Sequence, residues 1–296
     1  MKKILVTGSD GQLGRAVNKE FANDEYELIN SDVFEKEGII PLDITDVKGV
    51  TDLVREIRPF AIINCAAYTA VDAQEKDKDR AFQINAIGPR NLAIAAEDTG
   101  ARLLHISTDY VFSGQHDRPY VETDETGPVS TYGRTKLQGE NFVKAFSRHY
   151  YIIRTAWLYG DGKNFVRTML KASETRDEVS VVNDQLGSPT SASELAKAIH
   201  ALLPTENYGL FHGTCEGDTN WADFTKKIYS LAGVKTGVKS VSTAEYKSMN
   251  PQSTDRPAYS ILDNMMLRLT GSYTFAHWEQ AIEEYLKDEG VIGGTK

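Results

Sequence analysis

Between residues 3 and 155 the chain alternates short apolar runs with longer stretches in which apolar side chains recur every three to four positions. The short runs, at 3–6, 27–30, 61–65, 102–107 and 151–155, are largely apolar rather than alternately polar, so both of their faces must be covered. The longer stretches predict helices. In 12–21, Leu13, Val17 and Phe21 share one face; in 46–57, Val47, Val50, Val54 and Ile57 do, with Asp46 as a candidate N-cap. Further helices are expected at 80–99 and 131–146. Strand–helix alternation of this kind predicts an α/β fold, a doubly wound parallel sheet of Rossmann type. The second half is less regular, with helices expected at 165–173, 193–202, 221–232 and 277–287 and strands at 179–182 and 210–212. We expect a dinucleotide-binding domain over 1–156, with returns to its sheet near 190–213. A smaller C-terminal α/β substrate-binding portion over 157–296 completes the expectation, and the boundary near Trp157 is soft, since no linker or repeat marks it.

At 296 residues the chain can bury a large core without disulfide or metal staples. Its two cysteines, Cys65 and Cys215, lie far apart with no partner at zinc spacing, so no metal site is expected. Lys plus Arg number 33 against 42 Asp plus Glu, a net charge of −9 that argues against nucleic acid as a partner. No signal-peptide core or membrane-spanning run is legible, and a cytoplasmic location is expected.

Thr7-Gly8-Ser9-Asp10-Gly11-Gln12-Leu13-Gly14 joins the first strand to the first helix. Gly8 permits a tight turn, Gly11 lets backbone N–H groups approach a pyrophosphate, and Gly14 lets the helix pack on its strand. The helix N-terminus then faces the phosphates with its partial positive charge. Asp32, at the end of the second strand, is placed to accept hydrogen bonds from an adenosine ribose, whereas Arg15 beside the loop is placed to meet a phosphate. NADH and NADPH therefore both stay open as cofactor.

Tyr132 and Lys136 lie four apart on an expected helix and project from one face. In a doubly wound sheet the strand C-termini share one edge, where ligands bind. Gly8, Asp32, Ala66, Thr108 and Thr155 all fall at expected strand ends and should gather there. A neighbouring ammonium and a nicotinamide cation would lower the Tyr132 phenol and make it a proton donor near neutrality. Thr108 is placed to hydrogen-bond the same carbonyl oxygen as charge develops on it. Together the three point to reduction of a ketone.

These residues resemble the extended short-chain dehydrogenase/reductase family, and within it the branch that reduces dTDP-linked 4-keto sugars. The resemblance spans essentially the whole chain. It rests on TGSDGQLG from Thr7, LDITD from Leu42, INCAAYTAVDAQE from Ile63 and STDYVFSG from Ser107. It continues in YGRTKLQGE from Tyr132, RTAWLYG from Arg154, NDQLGSPT from Asn183 and RPAYSILD from Arg256. It implies that Tyr132 is the proton donor, that Lys136 holds the nicotinamide ribose and tunes Tyr132, and that Thr108 is the hydroxyl partner. Gln12, Leu13, Asp43, Ile44 and Ala67, Tyr68 and Thr69 would contact the cofactor, beside Gly8, Gly11, Gly14, Asp32 and Ala66. Thr108, Asp109, Trp157, Asn164 and Arg256 would hold the sugar nucleotide. Asn85 resembles a helix-stabilising residue of the family. His105 and His212 read as core and His116 as loop, with no catalytic role.

Some members of the family form magnesium-bridged dimers through an acid early in the first helix. Ala16 stands there with Arg15 beside it, so a monomer or weak homodimer without metal is expected. A dehydratase of this fold carries a Glu directly after the Thr-Asp pair, where this chain has Tyr110. Another nucleotide-4-ketosugar reductase, an epimerase with a retained cofactor, and a non-enzymatic regulatory subunit of methionine adenosyltransferase type stay open as alternatives.

Overall fold

The structure is a computed structural model that describes residues 1–22 and 25–293. Among these, seven parallel strands form the main sheet: β1 (Lys2–Thr7), β2 (Tyr26–Asp32), β3 (Ile40–Pro41), β4 (Ala61–Asn64), β5 (Arg102–Thr108), β6 (Tyr150–Thr155) and β7 (Gly209–His212). Their order across the sheet is β7-β6-β5-β4-β1-β2-β3. The direction of winding reverses between β1 and β4, which pair in parallel from Ile4 opposite Ala61 to Thr7 opposite Asn64. A crevice opens at the carboxyl ends of the strands at such a switch point.

Alternate strand residues feed two separate cores, which is why the strands read as continuously apolar. Ile4, Val6, Ile63, Leu104 and Ile153 point to one face, where Val17, Leu195 and Ile199 cover them. Leu5, Ile62, Leu103 and Ile152 point to the other, under Val50, Val54, Leu92 and Val143. The first core runs on without a break through Phe224, Trp278 and Ile282, so the later residues pack directly onto the sheet's face. Residues 190–213 return to it as a helix, Ala192–Leu202, and as the edge strand β7.

The helices follow the apolar spacing. Asp46 caps Val47–Ile57 by accepting from the Lys48 N–H, and Ser130 caps Thr131–Phe146 by accepting from Gly133 N–H. The long helix expected at 80–99 differs: it begins at Lys78 and is interrupted by a π-helical turn, Gln83–Ile87, before running on as Gly88–Thr99. Asn85 sits in that turn. Its amide accepts from Tyr68 N–H at 2.9 Å and donates to the Tyr68 carbonyl and Thr135 hydroxyl, clamping the loop after β4 to the helix that carries Tyr132. A π turn at such a junction is a recurrent feature of functional sites. Several short elements were not anticipated, among them strand Gly237–Val241 and helices Thr243–Met249 and Met265–Thr270. They are short and half exposed, so no sustained apolar period announces them.

Candidate active site

Glycine geometry builds the first wall. Gly8 has φ +67°, and a Cβ there would stand 2.6 Å from the Ala66 nitrogen. A Cβ on Gly14 would stand 2.4 Å from the Gly8 carbonyl oxygen. No larger residue fits either place, so the loop lies close against the end of β4, and the helix that opens at Gln12 presents its N-terminus to the crevice. Two cavities flank it, of about 590 and about 500 Å³. They share Asp10, Gly11, Cys65, Ala66 and Ala67, so the pair forms one bent trough across the switch point. A trough in two lobes with the glycine loop and a helix N-terminus at its waist fits a dinucleotide.

The smaller lobe is lined by Gly8, Asp32, Asp43 and Ile44. Asp32 accepts from Asp10 N–H at 3.1 Å with one oxygen and from Val33 N–H with the other, so it also braces the glycine loop. Asp43 accepts from the Thr45 N–H and hydroxyl. Arg15 does not face a phosphate alone: it is paired with Asp10 and Asp161, and Lys36 joins Asp10 at 2.8 Å. Tyr68 lines neither lobe. Its ring lies 5.7 Å from the Arg80 guanidinium, and Arg80 is the residue that lines the smaller lobe instead.

Gln12, Leu13, Thr69, Thr108, Asp109, Tyr132, Lys136, Trp157 and Asn164 line the larger lobe. Thr108, at the end of β5, and Tyr132, in the first turn of its helix, both line this lobe, with the Thr108 hydroxyl near enough to the phenol to favour its charged form against burial. Thr108 also donates to Asp109 at 2.9 Å and accepts from Tyr110 N–H. The Tyr110 ring meets the edge of Tyr132 at 5.4 Å. Burial pushes the Tyr132 phenol above its ordinary value. The expected lowering depends on a nicotinamide cation beside the ring; from the protein's own groups, desolvation dominates and holds the phenol in the protonated form, the form that donates. Asp109 is pushed up to about 6 by burial, against its bond from Thr108, and its other oxygen is buried without a partner.

Lys136 is buried on the same helix face and pushed down to about 8 by desolvation. It donates to the Ile106 carbonyl oxygen and stands 3.5 Å from the His105 ring. His105 is buried in β5, as its place in an apolar strand suggested, and its ring nitrogens face Asn64 and Lys136. One turn further along, Glu140 takes both ends of the Arg154 guanidinium at 2.8 Å and the Ser107 hydroxyl at 2.6 Å. Burial would raise this acid, but the Arg154 fork holds it below its ordinary value. Apart from Lys136, none of these buried groups was singled out as part of the site, although His105 and Asn64 interrupt apolar runs, and a polar residue inside such a run is the signal to follow.

The outer residues separate. Trp157 adopts φ +48°, unusual for a bulky residue, and its indole stacks on Trp221 at 3.6 Å with Gly187 beneath its edge. The tryptophan pair forms a partition: Trp157 faces the larger lobe and Trp221 a neighbouring cavity of about 240 Å³. Arg256 lines that third cavity, 3.5 Å from Asp72, rather than the lobe of Tyr132. Asn164 reaches the larger lobe, but its side chain is fully engaged. Its oxygen caps Phe165–Ser173 through Arg167 N–H, and its amide donates to Gly160, Gly162 and the Tyr285 oxygen. A substrate bond to the Asn164 amide would therefore have to replace one of these. His212 is buried between the Tyr120 and Asp263 carbonyls, away from the trough. Among the described residues no cluster of three metal-ligating side chains occurs, and no helix is long and apolar enough to cross a membrane.

Residues 1–291 match the model of the RmlD substrate binding domain family. The fold is similar to a dTDP-4-dehydrorhamnose reductase from Clostridium acetobutylicum, with 47% identity, TM-score 0.92 and coverage of 97% of this chain and 99% of that one. It is also similar to a dTDP-4-dehydrorhamnose reductase from Bacillus anthracis in complex with NADP, at 42% identity and TM-score 0.90 over 97% of this chain and all (100%) of that one. A curated relative, the spore coat polysaccharide biosynthesis protein SpsK of Bacillus subtilis, is 38% identical over 97% of this chain and 98% of its own.

Proposed function

The chain belongs to the RmlD substrate binding domain family, that of the dTDP-4-dehydrorhamnose reductases, and from that premise we propose that it reduces the C4 ketone of dTDP-4-dehydro-β-L-rhamnose to dTDP-β-L-rhamnose with NADPH or NADH. The observation that carries this reading is that Thr108, Tyr132 and buried Lys136 line one lobe, which continues from the glycine loop. The bound nicotinamide supplies the hydride to C4. Tyr132, kept as a phenol by burial, donates its proton to the C4 oxygen as negative charge develops there. Thr108 exchanges its bond to Asp109 for one to the same oxygen. Lys136 holds the nicotinamide ribose and supplies positive charge beneath the phenol.

The sugar lies against Trp157 and Asp109, and the nucleotide end extends past the tryptophan partition toward Arg256. In this reading residues 1–156, with the returns at 190–213, hold the cofactor, and most of 157–296 shapes the substrate side. A cytoplasmic location goes with a nucleotide-sugar substrate and a reduced nicotinamide.

The test follows absorbance at 340 nm with NADH and NADPH against a panel of dTDP-4-keto sugars and identifies the product. Stoichiometric loss of reduced cofactor with formation of dTDP-rhamnose is expected. Interconversion without net oxidation would make the protein an epimerase. Tyr132→Phe removes only the proton and is expected to lower kcat by about 10²–10⁴-fold with cofactor affinity retained; near-normal kcat in that variant rules out the acid assigned to it.

A further inference from the structure

Beneath Lys136 the buried polar side chains form a chain whose donor and acceptor roles are settled by one backbone group. The Ala66 N–H stands 3.1 Å from one end of the Asn64 side chain. A backbone N–H only donates, so that end is the carbonyl oxygen, and the Thr7 hydroxyl donates into it as well at 2.8 Å. The NH₂ end of Asn64 therefore faces His105, 3.0 Å from Nδ1. Nδ1 has to accept. A neutral imidazole that accepts at Nδ1 carries its hydrogen on Nε2, and Nε2 is the atom 3.5 Å from the Lys136 amine. The imidazolium form is excluded on two counts: it would set two donors against each other at Asn64, and full burial, with the Lys136 charge added, holds His105 well below its ordinary value.

We propose that Thr7, Asn64 and His105 form a positioning chain that presents an N–H donor to Lys136 and thereby sets the balance between its ammonium and amine forms. The inference rests on the reading of Lys136 as the charged partner of Tyr132. An ammonium there donates to the Ile106 carbonyl and to the ligand side, and meets the imidazole N–H as a second donor, which is unfavourable. The neutral amine turns its lone pair to that N–H. The remaining groups that face Lys136 are Glu140, one turn along its own helix, Cys65 from the end of β4, and Tyr132, with Asp109 and Tyr110 behind it. Glu140 favours the ammonium but is neutralised by Arg154. Cys65 is pushed up to about 12 by burial and stays a thiol. His105 is the neighbour that opposes the charge by hydrogen-bond polarity, in the same direction as burial. The histidine thus acts with burial to favour the amine over the ammonium.

Long-range ¹H–¹⁵N spectra of the histidine-labelled full chain read the tautomer directly, without turnover. The Nε2–H form is expected unchanged from pH 6 to 9, and an Nδ1–H tautomer or an imidazolium at pH 7 overturns the proposal. The pH dependence of NADPH affinity and of kcat/KM is then compared for wild type, His105→Phe and His105→Gln. Loss of the donor in His105→Phe is expected to move the alkaline limb of both profiles upward by about one pH unit, because the ammonium is no longer opposed. His105→Gln, which returns an N–H at the place of Nε2, is expected to move it most of the way back. An alkaline limb that stays put in His105→Phe sinks the chain as a tuning device. If wild type oxidises no cofactor with any dTDP-4-keto sugar while the tautomer and affinity profiles behave as stated, the proposed substrate is wrong and this inference survives. Should His105→Phe fail to fold, the wild-type tautomer still decides.

Discussion

The floor below Lys136 and the mouth above Tyr132 are lined by similar residue types yet treat them differently. On the floor most polar atoms are answered by the protein itself, with Arg154 Nη1 buried without a partner. Thr7 and Ala66 meet Asn64, Asn64 meets His105, and Glu140 holds Arg154 and Ser107, while the Phe112 ring lies 5.0 Å from the Arg154 guanidinium carbon. At the mouth, one oxygen of Asp109, the Thr155 hydroxyl and the Gln12 carbonyl oxygen are buried without partners. A satisfied network is rigid and holds geometry, whereas unanswered polar atoms in a cavity wall are suited to a polar ligand. The contrast separates residues that position from residues that bind.

The difference can be broken from the floor first. Glu140→Ala leaves the Arg154 charge buried and unpaired, and a loss of about 3–5 kcal/mol in stability is expected, read by chemical denaturation. A loss under about 1 kcal/mol would mean that the pair is not as dry as its burial indicates.

Substitution at the mouth should do the opposite. Arg256→Ala is expected to raise KM for the sugar nucleotide by about tenfold or more, since charged hydrogen bonds contribute about 1.5–3 kcal/mol. Stability should shift by no more than about 0.5 kcal/mol, because its bond to Asp72 is a half-exposed surface pair. An unchanged KM would move the nucleotide out of the third cavity.

Asn164 belongs to neither side, and it sharpens the comparison. Asn164→Ala is expected to cost about 1 kcal/mol through the lost helix cap, with Asn164→Asp restoring most of it in thermal melts. A rise in substrate KM with the cap intact in Asn164→Asp would return the amide to the binding surface.

Legibility in the sequence follows the same division. The sheet strands and their covering helices were readable because each repeats a local period: apolar runs such as Ile4–Leu5–Val6, and Val50 and Val54 one turn apart on a helix. The glycine loop and the Tyr132–Lys136 pair were readable because their chemistry depends on short spacings. The partition of Trp157 on Trp221 was not, since the two lie far apart in the chain and meet only through tertiary packing. Nor was the role of Asn164, whose amide has the same composition whether it caps a helix or faces a phosphate.

The amino-acid order by itself determined the architecture and the candidates for the reacting groups, because periodicity and spacing are properties of neighbours along the chain. Tertiary structure alone decided which atoms of those groups are dry, which way Asn64 and His105 are turned, and which cavity Arg256 enters. Burial and hydrogen-bond polarity are properties of neighbours in space, and strands β1, β4 and β5 bring Thr7, Asn64 and His105 together only when the sheet has formed.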